Sequence, residues 1–345
     1  MNIGLLTYYY STNYGAMLQA YATVKILTQL GHKVILINIR QETESPSLLK
    51  RILYFWRNRN FRRFRQTNFV VTKSFKSYSD LLNHQFNFDC LIVGSDQVWN
   101  PSIAKDFLKA YFLMFSDNCI KLSYASSFGI DNWPISDSVL NHEIMNTLNT
   151  FKGVSVREQT GAKLLKETFN INSEIVLDPT FLLKSYFNIK PINNRNIICY
   201  KLVKDNFFYE CSSTISKILS LPLFLLNDIF PHKNIKYIYP PSVEDWVRYI
   251  ASSAFVITDS FHGLVFSIIY HKPFIVMIGN PERASRLLDL LKLIGLSERC
   301  VTSSTGIDQL KNILNTSIDY VHIDSVLSAQ RNISINFLSS NLNEN

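Results

Sequence analysis

The chain has no paired cysteines. Cys90, Cys119, Cys199, Cys211 and Cys300 stand singly, in an odd total and without a CxxC, so neither a disulfide framework nor a cysteine zinc site is encoded. Reduced thiols in a cytosol fit that usage. The seven histidines show no HxxxH or HxH pairing, so no metal site is expected. No uninterrupted apolar run approaches the ~18 residues of a membrane span, and the N-terminus MNIGLLTYYY lacks the basic and apolar regions of a signal peptide. The first strand-to-helix loop holds one glycine, not GxGxxG, which removes a nicotinamide or flavin reading. No cofactor is expected.

What is present is an ordinary globular composition. Of 345 residues, 47% are hydrophobic and 18% charged, enough for two domains with sizeable cores. The net charge is +8, and nine Lys or Arg residues fall between Lys50 and Lys76, which leaves the remainder nearly balanced. Leu49, Ile52, Leu53 and Trp56 follow helical spacing among Arg51, Arg57, Arg59, Arg62, Arg63 and Arg65. The segment 48–76 therefore predicts a cationic amphipathic helix, which either packs its stripe on the domain or touches an anionic membrane. Nucleic acid is not expected as a partner, since no RNP or helix-turn-helix pattern accompanies the charge.

Short apolar runs alternate with amphipathic helices, which is α/β grammar. Strands are expected at Asn2–Thr7, Lys33–Ile39, Asp89–Val93, Leu122–Ala125, Gly153–Val156 and Glu174–Leu177. After the polar stretch Asn188–Asn196 they restart at Ile197–Leu202, Leu223–Leu226, Phe255–Thr258 and Phe274–Ile278. The pattern predicts two Rossmann-like domains facing a cleft: 1–188, the acceptor side, and 189–338, the donor side, followed by a frayed tail at 339–345. Ligands collect at the carboxyl ends of strands in such sheets, so polar residues there become the candidates.

Tyr8–Gly15 (YYYSTNYG) offers Asn13, Tyr14 and Gly15 at a helix start, as a cap or as acceptor contacts. Gly94–Pro101 (GSDQVWNP) crowds Ser95, Asp96 and Gln97 into one loop, with Asp96 a candidate acid or base. Gly153–Glu158 (GVSVRE) delivers Arg157, whose fork suits a carboxylate or phosphate. In VITDSFHGLVFSIIY, Ser260 and His262 begin a buried helix, where the positive end of the dipole favours a neutral imidazole beside an anion. Arg283 and Arg286 in GNPERASR open the next helix and invite a compensating anion.

Together LLTYYYSTNYGAMLQAY, IVGSDQVWNP, SVREQTGAKLL, VLDPTFLL and VITDSFHGLVFSIIYHKPFIVMIGNPERASRLLDLL resemble the polysaccharide pyruvyl transferase family, in its order, from about residue 2 to residue 295. The resemblance implies a GT-B-like fold and transfer of the pyruvyl unit of phosphoenolpyruvate to a sugar as a ketal, with phosphate leaving. It implies that Arg157, His262 and the cation at Arg283 serve the donor, with Ser260 beside them. Many members carry Arg-Leu where this chain has Ser260-Phe261, so Arg283 or Arg286 is expected to supply the missing charge. Phosphoenolpyruvate carries about three negative charges near neutral pH, which calls for such cations and helix N-termini. The implied protein is a cytoplasmic transferase acting on a polysaccharide precursor, its sugar acceptor in one form lipid-diphosphate-linked and met at the inner face of the membrane. Two alternatives stay open: a GT-B glycosyltransferase using a nucleotide sugar, and a non-catalytic sugar-binding relative.

Overall fold

The computed structural model of the protein describes residues 1–40, 55–116, 119–203, 205–226, 235–279 and 284–343. The chain forms two compact units. The first comprises Met1–Leu53, Arg62–Leu183 and Ser328–Asn345, and the second Tyr54–Phe61 and Lys184–Leu327.

In the first unit β1 (Asn2–Leu6), β2 (Lys33–Ile39), β3 (Val71–Phe75), β4 (Cys90–Val93) and β5 (Ile120–Ser123) form a parallel sheet in the order β3-β2-β1-β4-β5. β1 and β4, at the middle of the sheet, are short apolar runs buried on both faces, as parallel sheets with helical crossovers require. β6 (Ser155–Val156) and β7 (Glu174–Ile175) pair with each other, and single bridges Leu122↔Gly153 and Ser126↔Val156 attach them beside β5. Trp99, stacked on Phe112 with ring centroids 5.3 Å apart, lies inside an apolar cluster of the first unit.

The second unit repeats the plan with β8 (Ile197–Tyr200), β9 (Leu223–Leu226), β10 (Lys236–Ile238), β11 (Phe255–Thr258), β12 (Phe274–Met277) and β13 (Cys300–Val301). Their order, β10-β9-β8-β11-β12-β13, is the 3-2-1-4-5-6 order of a Rossmann sheet. In each unit the winding direction reverses between the first and fourth strands of its sheet, β1/β4 and β8/β11. Those two crevices are where the fold places ligands.

Three differences from the sequence reading are physical. β3 falls inside the basic segment, and its sequence VTKSF, largely exposed, carries no run of apolar residues to announce a strand. The units divide at Leu183/Lys184, ahead of the polar stretch 188–196. The final helix, Tyr320–Leu342, runs from the second unit into the first, where Ser334 Oγ accepts from Leu177 N at 2.9 Å and Phe337 and Leu338 are buried. That docking orders residues 339–342, which were expected to fray.

Of the basic segment, residues 48–54 lie outside the described residues, among them Leu49, Ile52 and Leu53. The helix Phe55–Asn68 buries Phe61 and Phe64, while Phe55 and Trp56 are exposed, with Arg59 over the Trp56 ring at 5.1 Å. No helix among the described residues is long and apolar enough to cross a membrane.

Candidate functional site

At the β1/β4 crevice the loop after β4 is tied to the loop after β1. Thr7 Oγ1 donates to the Ser95 carbonyl at 2.7 Å, and buried Gln19 donates through Nε2 to Thr7 Oγ1 at 2.9 Å and to the Tyr8 carbonyl at 3.1 Å. Asp96 then takes a φ of 79°, an uncommon conformation for a residue with a side chain. Its Oδ1 accepts from Gln97 N at 2.9 Å, which holds the carboxylate in place.

Below Asp96 lies Arg157, delivered by β6. Arg157 Nη1 is 2.8 Å from Asp178 Oδ2 and 3.3 Å from Ser95 Oγ, Nη2 is 3.6 Å from Asp96 Oδ1, and Nε is 3.4 Å from Glu158 Oε2. Ser95 Oγ also donates to Asp178 Oδ2 at 2.8 Å, and Asp178 Oδ1 accepts from Thr180 N and Oγ1. Burial alone would lower the Arg157 pKa, but Asp178, Glu158 and Asp96 outweigh it and hold the guanidinium above its ordinary value. One cation thus organises three carboxylates. The Arg157, Asp178 and Glu158 side chains are 1%, 0% and 3% exposed, whereas Asp96 is 17% exposed, so the cluster meets solvent through Asp96.

Two phenols stand near that carboxylate. Burial raises the Tyr8 pKa and Tyr111 and Asp96 add to it; burial likewise raises Tyr111, with Asp96 and Tyr9 adding and the hydrogen bond with Tyr8 opposing, so both rings stay protonated. Their centroids lie 4.9 Å apart.

The sequence candidates are sorted by this geometry. Ser95, Asp96 and Arg157 converge, whereas Gln97 meets Asp96 through its backbone N and its side-chain Oε1 accepts from Asn100 Nδ2 at 3.3 Å. Asn13 is spent as a helix cap, accepting from Ala16 N at 3.1 Å, while Tyr14, Gly15 and Ser95 are buried and present no surface to an acceptor. Arg157, expected to meet an anionic donor, is instead enclosed by carboxylates. The sequence assigns no role to Asp178 or Thr7, although the Asp-Pro pair at a strand's end is a usable signal.

At the β8/β11 crevice of the second unit, Thr258 Oγ1 donates to the Tyr200 carbonyl at 2.7 Å and accepts from Ser260 N at 3.0 Å, bridging the two strand ends. Ser260 caps the helix Phe261–Ile269, its Oγ 3.4 Å from Gly263 N. His262 falls in the first turn, 6% exposed, with the Phe261 ring edge-on at 5.3 Å. A glycine must follow: a Cβ on Gly263 would lie 2.2 Å from Thr258 Oγ1.

Asp259, between β11 and the cap Ser260, accepts from Leu202 N at 2.7 Å through Oδ1 and from Val203 N at 3.0 Å through Oδ2. It thereby fixes the loop leaving β8. Burial raises its pKa against the pull of these bonds and of Lys201. Lys201 donates to the Asp205 carbonyl at 3.0 Å and lies over the Tyr209 ring at 4.4 Å, adding a cation to this strand end that sequence reading missed. Arg286 is half-buried in the first turn of the helix Ser285–Leu293, and Arg283 lies outside the described residues.

A sheet order and two strand-end clusters of this kind can be compared with known proteins. Over 100% of this chain and 97% of the other, the fold superposes with a TM-score of 0.58 and 11% identity on a Listeria monocytogenes protein assigned as a UDP-N-acetylglucosamine 2-epimerase. A Rickettsia africae glycosyltransferase matches with a TM-score of 0.55 at 16% identity, covering 99% of this chain and 96% of its own. The UDP-GlcNAc 2-epimerase of Methanocaldococcus jannaschii gives 0.51 at 11% identity over 97% and 99%. At such identities the likeness is one of fold, a GT-B-like pair of Rossmann domains. No curated protein matches the chain by sequence. The sequence profile named polysaccharide pyruvyl transferase matches residues 13–281, a span that includes Asp96, Arg157, Asp178 and His262. The chain belongs to the polysaccharide pyruvyl transferase family.

Proposed function

We propose that the protein transfers the pyruvyl unit of phosphoenolpyruvate to a pair of hydroxyls on a sugar of a polysaccharide or lipid-linked oligosaccharide precursor. The observation that carries this is the family match over residues 13–281, which takes in Asp96 of the first crevice and His262 of the second. The donor's methylene accepts a proton, the resulting oxocarbenium-like carbon takes one sugar hydroxyl, the bond to phosphate breaks, and the second hydroxyl closes the ketal. Of the two hydroxyl protons, one balances the methyl group formed and the other leaves with phosphate.

The residues suit that sequence of events in different ways. Asp96 and His262 are the acid and base: Asp96 is the carboxylate of its cluster that meets solvent, and His262 is held by the capped helix start. In this reading Arg157 is a positioning residue, since three carboxylates enclose it. The helix N-termini at Ser260 and Ala284, with Arg286, face the donor's charge in place of the family's Arg-Leu. Exposed Phe55 and Trp56 among arginines give the cytoplasmic enzyme a peripheral contact with an anionic membrane carrying the acceptor.

Incubation with phosphoenolpyruvate and a panel of hexose glycosides is expected to release phosphate stoichiometrically and add to the sugar the mass of pyruvate less water. No ketal on any acceptor, together with tight binding of a nucleoside diphosphate, would move the protein to nucleotide-sugar transfer.

A further inference from the structure

The first unit carries a second pocket, of about 340 Å³, that shares no lining residue with the Asp96 cluster. It opens past the carboxyl ends of β1 and β2, where Tyr9, Tyr10, Asn38 and Arg40 meet Arg62 and Arg65 from the helix Phe55–Asn68. Arg62 and Arg65 are three residues apart and so share a helix face. Phe69 closes an apolar wall.

Charge in this pocket is one-sided. The Tyr10 ring has the guanidinium carbons of Arg40 and Arg65 both 4.6 Å from its centroid, and Arg65 Nη1 donates to the Tyr10 carbonyl at 3.1 Å. None of the nine described lining residues is acidic. Burial, then the neighbouring charges of Arg62 and Arg40, pull the Arg65 pKa below its ordinary value against the opposing effect of Tyr10 and Tyr9. Three guanidinium groups held together without a carboxylate in the lining gain most from an anion with several oxygens, and their planar forks match phosphate.

A second observation points to more than a bare anion. Asn38 is 5% exposed, lines the same pocket, and its Oδ1 is buried without a hydrogen-bond partner. A buried carbonyl oxygen left unpaired is costly, and an incoming hydroxyl would satisfy it. Tyr10, 43% exposed, adds a ring of the kind that packs on the apolar face of a sugar.

We propose that this pocket binds the phosphate ester of a sugar, with Arg40, Arg62 and Arg65 on the phosphate oxygens and Asn38 Oδ1 on a sugar hydroxyl. Its use as the anchor for a phosphorylated acceptor rests on the transfer reading above. The binding itself does not.

Calorimetry on the full chain without phosphoenolpyruvate tests it, with inorganic phosphate, a hexose 1-phosphate, a nucleoside diphosphate hexose and a short-chain polyprenyl diphosphate hexose as probes. At least one sugar phosphate should bind more tightly than inorganic phosphate, and the tightest of the three identifies a soluble or a lipid-borne source. Arg40→Gln and Arg62→Gln, both at exposed positions, should each weaken that binding about tenfold or more. Arg63→Gln makes the same charge change outside the lining and should leave it intact. Asn38→Ala should erase the preference over inorganic phosphate. Equal losses in R63Q and R40Q, or affinity no better than for inorganic phosphate, overturn the proposal. A protein that binds sugar phosphates in this way yet forms no ketal would overturn only the transfer reading. Ketal formation on plain glycosides with no sugar-phosphate binding would overturn only the pocket.

Discussion

Arg157 Nη1 lies 2.8 Å from Asp178 Oδ2 in an ion pair whose side chains are 1% and 0% exposed. Removing one partner of such a pair leaves charge without compensation. Arg157→Ala would strand Asp178 and Glu158 in the interior and is expected to cost about 3–5 kcal/mol in urea denaturation. Asp178→Asn should cost less, because the cluster's excess of negative charge falls and the side chain keeps its shape. If R157A instead unfolds like the wild type and only raises the KM for phosphoenolpyruvate, Arg157 is a donor contact after all.

Gly263 is fixed by a different constraint, the 2.2 Å that would separate a new Cβ from Thr258 Oγ1. Thr258 cannot turn away without giving up its bonds to the Tyr200 carbonyl and Ser260 N. Gly263→Ala is therefore expected to destabilise by roughly 1–3 kcal/mol, overpacking outweighing the better helix propensity of alanine. Thermal denaturation of G263A beside G263A/T258A checks the cause: the double variant should recover part of the loss.

Both crevices were legible in the sequence because β4 and β11 are short apolar runs that end on polar residues, CLIVGSD and FVITDS. The helix start at Ser260 and the position of His262 followed from the same break in hydropathy. Arg157 was harder to place: its partner Asp178 is 21 residues away, and nothing local distinguishes an arginine turned toward buried carboxylates from one facing water. Asn13 illustrates the reverse ambiguity, since a cap and a ligand contact use the same residue type at the same helix position. β3 was hidden by its exposed, lysine-bearing sequence, and the return of the last helix depends on a contact between Leu177 and Ser334 that no local pattern encodes.

Asp259 gives a test by pH. Its pKa is raised in the folded protein above the ordinary value of 3.8, first by burial, so the native state holds that proton more tightly than the unfolded chain does. The stability this contributes is present in full below the unfolded pKa and is lost as pH rises through the folded one. The stability of the wild type minus that of Asp259→Asn should therefore decline as pH rises from below the unfolded carboxylate value through the raised folded-state one. The constant cost of exchanging one backbone acceptor for an amide does not affect that slope. A difference that grows with pH would mean that the bonds from Leu202 and Val203 outweigh burial.

His262 decides whether the second crevice does chemistry or only binds. The ring sits 6% exposed in the first turn of a helix whose remaining apolar residues are buried, so a glutamine there keeps a polar side chain of similar reach. If His262 transfers a proton, His262→Gln should lower kcat for ketal formation by about 100-fold or more, with phosphoenolpyruvate still binding in calorimetry. Asp96→Asn should lower kcat to a similar extent if its carboxylate transfers a proton. The pH–rate profile then separates their roles. The variant that loses the low-pH limb has lost the base, and the one that loses the high-pH limb has lost the acid. Unchanged turnover in H262Q would remove His262 from the reaction, and a wild type that binds phosphoenolpyruvate without forming ketal on any acceptor would identify a binding protein that has kept the family's fold.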